Sequence, residues 1–232
     1  MNKTNQEKEY LYFLFLSLFV YLLIILKIIV KYKKLSNNIK LFIILGPSGS
    51  SKDTLMKLIK KKYPEKFIKC VSYTTRKPRN NEKERENYFY ISKEEFKKLD
   101  SEQKIICKFE CCGKYYGTSK DLLNECLRKY KDKIIYFDYN IETAIKTLEM
   151  KNLSFNYIAI VPPSIEVLEK RLIGRKSESQ DSLLQRITNA KKELEMIKKA
   201  DFLNYVVTNI ELNEALSQFE SYLKQLYPGI LQ

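Results

Sequence analysis

The sequence predicts an α/β fold in which a parallel sheet is flanked by helices, preceded by one N-terminal transmembrane helix. Short apolar runs alternate along the chain with amphipathic stretches, which is typical of a parallel sheet covered by helices. A glycine-containing loop at residues 46–54 directly follows the first run. Residues 10–30 are largely apolar, with Lys27 as their one charge, and a bilayer core requires about 20 such residues.

Four apolar runs are predicted to form the core strands of the sheet: residues 41–45, 133–137, 157–161 and 205–208. The first run, LFIIL, is apolar at every position, as expected of a strand that is buried on both faces. Helical patterns separate or follow these runs at residues 55–62, 141–150, 164–172, 182–200 and 212–226.

The apolar segment is interpreted as a single-pass membrane anchor at residues 10–30, after a tail of residues 1–9. Residues 10–26 are uncharged, and Lys27 lies near the end, where a lysine side chain reaches the interface. Lysines are frequent in the linker of residues 31–40, so the positive-inside rule predicts a cytosolic location for the rest of the chain. A role in organelle targeting stays open for the same segment.

The composition restricts the chemistry available to the chain. Lysine and arginine exceed aspartate and glutamate by 42 to 28, and we interpret most of this charge as solvated surface. No arginine-rich run is present, so a nucleic-acid partner is not expected. The five cysteines are irregularly spaced and predict neither a disulfide framework nor a zinc site. Because the chain has no histidine, Ser-His and Cys-His catalysis are excluded. The oligomeric state is not predicted.

The loop GPSGSSKDT resembles the phosphate-binding pattern G-x-x-x-x-G-K-[ST]. Gly46 and Lys52 match it, whereas Ser51 replaces the second glycine and Asp53 replaces the hydroxyl residue. Backbone N–H groups of such a loop hold phosphates, and the lysine reaches the β- and γ-phosphates. The predicted nucleotide-binding residues of the loop are Gly46, Pro47, Ser48, Gly49, Ser50, Ser51, Lys52, Asp53 and Thr54.

Several further motifs follow in the chain: VSYTTRKPR at 71–79, ENYFYIS at 86–92, KYYGTS at 114–119, IVPPSIEVLEKRLIGR at 160–175, LLQRITNAKKELE at 183–195 and YVVTN at 205–209. In this order and at these spacings, they resemble the guanylate kinase family over residues 41–228. The resemblance implies a P-loop NTPase-type sheet, an acceptor-binding part at about residues 72–130 and a helical lid at about residues 172–192. It also implies ATP and GMP as substrates, Mg²⁺ as the cofactor and a place in purine nucleotide metabolism.

The resemblance implies roles for individual residues. The residues that match the GMP-binding positions are Ser72, Arg76, Arg79, Tyr88, Tyr116 and Thr118. Two arginines suit a dianionic phosphate, because guanidinium groups form paired charge-assisted hydrogen bonds. Arg175 and Arg186 match the lid arginines that close over the ATP phosphates, and Asn209 matches a position near the adenine. Asp138 matches the aspartate near Mg²⁺ and the phosphoryl group in transfer.

Four positions depart from the family pattern. Ser51 requires a positive φ at a non-glycine residue, which costs about 1 kcal/mol. Asp53 replaces a magnesium-binding hydroxyl, and a carboxylate is itself a good magnesium ligand, with Thr54 beside it. Cys107 and Asn140 fall where the family has carboxylates that accept hydrogen bonds from guanine. A cysteine accepts such bonds poorly.

Glu110 would restore a carboxylate to the base site only if its loop shifts. Because the base site departs from the family, two alternatives to GMP phosphorylation stay open. The first is a related kinase for another phosphorylated acceptor, such as ribose 1,5-bisphosphate, which does not need a guanine site. The second is a non-catalytic binding module of the same fold at a membrane. The second is disfavoured because Lys52 and the acceptor and lid arginines are all present.

Overall fold

The computed structural model describes residues 18–23, 40–79, 82–111, 113–174 and 180–231 of the chain. The chain divides into two compact units, Met1–Asn38 and Ile39–Gln232. Within the first unit, residues 18–23 are helical, and their large apolar side chains are 45–63% exposed. None of the helices in the described ranges is long and apolar enough to cross a membrane. Most of the predicted anchor lies outside these ranges, so the anchor stays a prediction.

The second unit contains nine strands and seven helices within the described residues. The strands are β1 (Lys40–Leu45), β2 (Phe67–Lys69), β3 (Tyr73–Thr74), β4 (Phe89–Tyr90), β5 (Ile105–Cys111), β6 (Lys114–Ser119), β7 (Ile134–Tyr139), β8 (Asn156–Val161) and β9 (Tyr205–Thr208). The helices are α1 (Lys52–Lys62), α2 (Lys93–Ser101), α3 (Lys120–Lys129), α4 (Ile141–Thr147), α5 (Ile165–Ile173), α6 (Gln180–Lys199) and α7 (Leu212–Leu226).

The main sheet has the strand order β2-β7-β1-β8-β9, and all of its neighbouring strands are parallel. This confirms the predicted α/β fold with a parallel sheet. The central strand β1 is buried along its apolar run, as its composition predicted. The second predicted strand continues further than expected, so that β7 includes Asp138 and Tyr139.

The core lies on both faces of this sheet, because neighbouring residues of β1 point to opposite sides. Phe42 and Ile44 pack with α1 and α7, where the ring of Phe42 lies 6.2 Å from the ring of Phe219. Leu41 and Ile43 pack in a second cluster with residues of α3 and α4. The helices therefore cover both faces of the sheet, as the alternating sequence pattern predicted.

A second, smaller sheet has the order β4-β3-β6-β5 and occupies the part of the chain predicted to bind the acceptor. The apolar runs of the sequence did not predict it. Its strands β3 and β4 have two residues each, which is too short for a period-two pattern to be recognised. The antiparallel pair β5 and β6 carries a register irregularity between Ile105 and Cys107.

The helices α5 and α6 contact each other through a small apolar cluster of Leu168, Leu172 and Ala190. The phosphate loop packs against α5, because a Cβ on Gly49 would lie 3.2 Å from a methyl group of Leu172. Residues 175–179 lie between these helices and outside the described ranges, so the predicted role of Arg175 stays a prediction.

Candidate active site

A cavity of about 350 Å³ lies where the carboxyl ends of β1 and β7 meet the smaller sheet and α6. Ligands of parallel α/β sheets bind at this edge. Many of the residues singled out in the sequence line this cavity: Gly46, Pro47, Ser48, Gly49, Ser51, Lys52, Asp53, Thr54, Arg76, Arg79, Tyr88, Tyr116, Asp138, Asn140 and Arg186. One cavity therefore joins the predicted phosphate loop to the predicted acceptor residues.

The backbone of the phosphate loop has a positive φ at Gly46, where glycine fits, and also at Ser51, where a serine is strained. Gly46 has a φ of 137°, and a Cβ there would lie 2.1 Å from the carbonyl oxygen of Ile160, so the position requires glycine. Ser51 has a φ of 75° and a ψ of 22°, which is the left-handed region predicted for it. Its side chain makes no capping hydrogen bond to α1. The strain at Ser51 therefore has no local compensation.

Lys52 and Asp138 face each other across the floor of the cavity. The Lys52 ammonium lies 3.9 Å from the Asp138 carboxylate and donates hydrogen bonds to the carbonyl oxygens of Gly46 and Pro47. Burial raises the pKa of Asp138, the charge of Lys52 opposes this, and the charge of Asp53 adds to it. Two carboxylates thus share this end of the cavity with a lysine.

Asp53 and Asp138 offer carboxylate oxygens, which are ligands of the kind that Mg²⁺ takes. Mg²⁺ in nucleotide sites is bound by one or two carboxylates together with phosphate oxygens and water. No cluster of three or more histidine, cysteine or acidic residues that could hold a metal occurs among the described residues. An ion at this place would therefore depend on the nucleotide for its remaining ligands, and Thr54 adds a hydroxyl to the cavity wall.

On the acceptor side, Arg76 is held by Glu82 in a two-pronged pair with N···O distances of 2.6 and 2.9 Å. Glu82 also accepts hydrogen bonds from the backbone N–H of Arg79 and the hydroxyl of Tyr90. Burial alone would raise the pKa of Glu82, but the hydrogen bonds from Arg76 and Arg79 lower it to about 2. Glu82 therefore stays ionised and orients Arg76.

Aromatic rings form the wall beside these arginines. Tyr116 stacks on Phe109 with centroids 4.7 Å apart and meets Tyr88 edge-on at 5.8 Å. The guanidinium of Arg76 and the ammonium of Lys69 lie 5.2 and 4.8 Å from the centroid of Tyr88. Tyr88 thus contacts both cations while its ring lines the cavity.

Three predicted GMP-binding residues do not line this cavity. Ser72, Thr118 and Cys107 are 8%, 0% and 1% exposed. The hydroxyls of Ser72 and Thr118 lie 2.7 Å apart, and the Thr118 hydroxyl lies 2.7 Å from that of Tyr139, which does line the cavity. Cys107 packs in the core, and burial raises the pKa of its thiol to about 11. In this structure these side chains support the wall instead of forming it.

Asn140 and Asn209 both have structural partners. The side-chain oxygen of Asn140 caps α4 by accepting a hydrogen bond from the N–H of Thr143, although Asn140 also lines the cavity. The predicted position of Asn209 beside the adenine stays a prediction. Asn209 is 2% exposed, and its side chain donates a hydrogen bond to the carbonyl oxygen of Ser50. Ser50, a residue of the loop, is itself fully buried.

The helix α6 brings three charged residues to the cavity, Arg186, Lys192 and Glu193. Arg186 donates a hydrogen bond to the hydroxyl of Ser48 over 3.2 Å, so the predicted lid arginine contacts the phosphate loop. Glu193 accepts a hydrogen bond from the N–H of Ile141 at the start of α4. Burial raises the pKa of Glu193, while the charge of Lys52 opposes the rise.

Sequence reasoning missed several cavity residues, among them Lys69, Glu82, Phe109, Tyr139 and Glu193. Two of them carry a signal in the sequence. Lys69 is a charge inside a predominantly apolar segment, FIKCV, just before the VSYTTR motif. Glu82 follows Arg79 by three residues, close enough to meet the arginines it pairs with.

The fold and the cavity define a nucleotide phosphotransferase of the phosphate-loop class. The sequence model of the family described as guanylate kinase matches residues 38–226. A guanylate kinase of Clostridium perfringens is 38% identical over 188 residues, covering 81% of this chain and 84% of that protein. A guanylate kinase of Schizosaccharomyces pombe is 33% identical and covers 82% of this chain and 92% of its own.

The fold also matches the crystal structure of a guanylate kinase from Anaplasma phagocytophilum. The TM-score is 0.61, the identity is 24%, and the match covers 85% of this chain and 92% of the other. The chain belongs to the guanylate kinase family, and is an ATP-dependent nucleoside-monophosphate kinase of that type.

Replacing Ser51 by glycine should stabilise the protein. Glycine adopts a positive φ without steric cost, so Ser51→Gly should raise the free energy of unfolding by up to about 1 kcal/mol. Urea denaturation of the full chain measures the change. Ser50→Gly is the matched control, because Ser50 is buried and is not among the positive-φ residues. A stabilisation at position 50 that equals the one at position 51 would contradict the strain at Ser51.

The ion pair of Glu82 should make stability depend on pH in acid. The folded pKa of about 2 lies below the ordinary 4.5, so the contribution is complete above pH 4.5 and is lost as the pH falls to 2. Glu82→Gln should therefore be less stable than the wild type at pH 6, and this difference should shrink towards pH 2. Glu86→Gln, at an exposed carboxylate, is the control. A difference that does not vary with pH would refute the interpretation.

Proposed function

We propose that the cavity transfers the γ-phosphoryl group of ATP directly to the phosphate of GMP, giving ADP and GDP. The observation that carries this proposal is the joint lining of one cavity by the phosphate loop, Arg76 and Arg79, with Arg186 reaching over from α6. Donor and acceptor phosphates can then meet in line without leaving the site.

The donor half uses the phosphate loop and Lys52. The loop amides and the start of α1 attract the β- and γ-phosphates, since a helix N-terminus favours negative charge. Lys52 at present donates to the loop carbonyls of Gly46 and Pro47, so its ammonium is already held at the entrance to the loop. We infer that it turns from these carbonyls to the phosphates when ATP binds.

Asp53, Thr54 and Asp138 are the residues that would hold a Mg²⁺ ion, which would supply positive charge to offset that of the ATP phosphates. Asp53 is a carboxylate where the family has a hydroxyl, so it would repel the ATP phosphates. A cation beside Asp53 offsets this repulsion. In this interpretation Asp53 replaces the missing hydroxyl as a ligand.

The acceptor half uses Arg76, Arg79, Tyr88 and Tyr116. Arg76 already forms a two-pronged pair with Glu82, and two oxygens of a phosphate can accept the same kind of paired hydrogen bonds from a guanidinium group. No general base is needed, because the phosphate of GMP is ionised and nucleophilic at neutral pH. Arg186, and Arg175 by its resemblance, would stabilise the charge on the phosphoryl group in transfer.

Recognition of the base would differ from the family pattern. Cys107 is buried away from the cavity, and the oxygen of Asn140 is already used as a helix cap. Glu110 lines the cavity, and its carboxylate can accept hydrogen bonds from the N–H groups of guanine. We propose Glu110 as the acidic partner of the base.

The activity test compares acceptors in a coupled ADP-release assay on the full chain. GMP should be phosphorylated faster than AMP, UMP or ribose 1,5-bisphosphate. Lys52→Ala should lower kcat by at least about 100-fold, because it removes a positive charge next to the transferred group. Lys57→Ala, at an exposed position of the same helix, is the control and should retain activity. No turnover with any acceptor would refute the proposal.

We propose in addition that residues 10–30 anchor the kinase to a membrane, with the kinase domain on the cytosolic side. The proposal is supported by the uncharged residues 10–26 and the exposed apolar side chains of residues 18–23. The lysines of the linker favour the cytosolic side. If the same segment targets the protein to an organelle, the anchor would be the same but the membrane would be that of the organelle.

The anchor predicts that the full chain stays in the membrane pellet after an alkaline wash. The double variant Leu18→Lys and Leu22→Lys should be released, since a lysine at the centre of a bilayer costs about 3 kcal/mol. The double variant Leu18→Ala and Leu22→Ala is the matched control and should stay in the pellet. Release of the wild type by the same wash would exclude a spanning anchor.

A further inference from the structure

Lys69 is a cavity residue without an assigned role. It ends β2, where it pairs with Tyr136 of β7, two residues before Asp138. Its neighbours in the chain, Ile68 and Cys70, are packed in the core. The side chain of Lys69 is partly buried and lines the cavity. A lysine in such a place is costly unless a negative charge meets it.

Two kinds of group surround the ammonium of Lys69. On the acceptor side it lies 4.8 Å from the ring centroid of Tyr88, the same ring that Arg76 faces at 5.2 Å. On the donor side it shares the cavity with Asp53 and Asp138. Lys69 therefore lies between the residues proposed for the two phosphates.

The charges of the cavity leave Lys69 available for a ligand. Arg76 pairs with Glu82, Lys192 with Glu142, and Lys52 lies beside Asp138. Within the described part of the chain, the ammonium of Lys69 has no side-chain hydrogen bond and no ion pair of 4.0 Å or less, and its close contact is the ring of Tyr88. Burial would lower the pKa of Lys69, but the charges of Asp138 and Asp53 raise it above its ordinary value. Lys69 is therefore a cation at neutral pH.

We propose that Lys69 binds the phosphate of the acceptor and the phosphoryl group in transfer, as a further cation between the donor loop and Arg76. The inference rests on the proposed function, because it takes the acceptor site to be the one lined by Arg76 and Tyr88. Negative charge is greatest where the two phosphates approach each other, and a positioned cation there favours the transition state.

The same cation would also offset the charge of Asp53. Asp53 adds a carboxylate at the mouth of the phosphate loop, and the phosphates bring more negative charge to it. The ammonium of Lys69, whose charge interacts with that of Asp53, reduces this repulsion. Lys69 could thus act by contact with phosphate or by compensation of the Asp53 charge. A variant that removes the Asp53 charge distinguishes the two, because only the contact would still matter in it.

The first test measures equilibrium binding of GMP to the full chain by calorimetry, without ATP or Mg²⁺. Lys69→Met, which keeps the aliphatic stem, should weaken GMP binding by about tenfold or more, the size expected for a charge-assisted phosphate contact. Binding of guanosine, which has no phosphate, should be unchanged. Lys69→Gln gives the same measurement if the methionine variant does not fold, and Lys69→Arg should keep most of the affinity.

The matched control is Lys66→Met, which removes an exposed lysine just before β2 and lies outside the cavity lining. It should bind GMP as the wild type does. If Lys66→Met and Lys69→Met lost the same amount of GMP affinity, the effect would come from the net charge of the protein, and the proposal would be overturned. Equal loss of guanosine and GMP binding in Lys69→Met would show a structural defect and would overturn it too.

The second test repeats Lys69→Met in an Asp53→Ser background. A direct phosphate contact predicts that the loss of GMP affinity persists there. Disappearance of the loss would show that Lys69 only neutralises Asp53, and would overturn the contact. Turnover is measured separately: a wild type that binds GMP through Lys69 but transfers no phosphoryl group would refute the proposed function and leave the binding role intact. A wild type without GMP binding would overturn both.

Discussion

The parallel pairing of β1 with β7 is the constraint on which the active site depends. Its register places Ile44 beside Asp138 and Leu45 beside Tyr139, so the phosphate loop starts next to the cavity carboxylate. Because β1 is buried and bonded on both edges, a shift by one residue would turn its core side chains to the wrong face. A separate pairing of β2 with the other edge of β7 places Lys69 beside Tyr136, two residues before Asp138. Donor and acceptor groups thus receive their positions from the most buried part of the fold.

The cavity keeps opposite charges close together before a ligand is present. Carboxylates hold cations in orientations that a phosphate can take over, as Glu82 does for Arg76. Such preorganisation lowers the reorganisation needed on binding, since the arginine is already fixed and partly desolvated. It also explains why a strongly basic chain can keep acidic residues in a site for anions. Glu82, for example, lies between Arg76 and Arg79 and offsets the repulsion between their charges.

Most of the fold could be predicted from the sequence, and the site only in part. The strand 41–45 and the loop after it are recognisable because burial and phosphate binding both constrain their residue types. The smaller sheet was not predicted, in part because its strands β3 and β4 have only two residues each and lack a pattern. Matching motifs gave the right segment for Cys107 and Thr118 but not the direction of their side chains, which depends on pairing between β5 and β6. Lys69 was missed because a single charge inside the apolar segment FIKCV does not show which groups will surround it in space.

The hydrogen bond from Asn209 to the carbonyl oxygen of Ser50 joins residues 159 positions apart in the chain. A ribosome adds residues in order, so the loop emerges long before the asparagine that braces its back. Arg171 in turn donates to the carbonyl oxygen of Asn209, which ties α5 to the same point. The loop of a growing chain lacks this brace until β9 has been synthesised and has joined β8. The complete support of the phosphate loop therefore spans the chain from Ser50 to Asn209 and cannot form in a shorter segment.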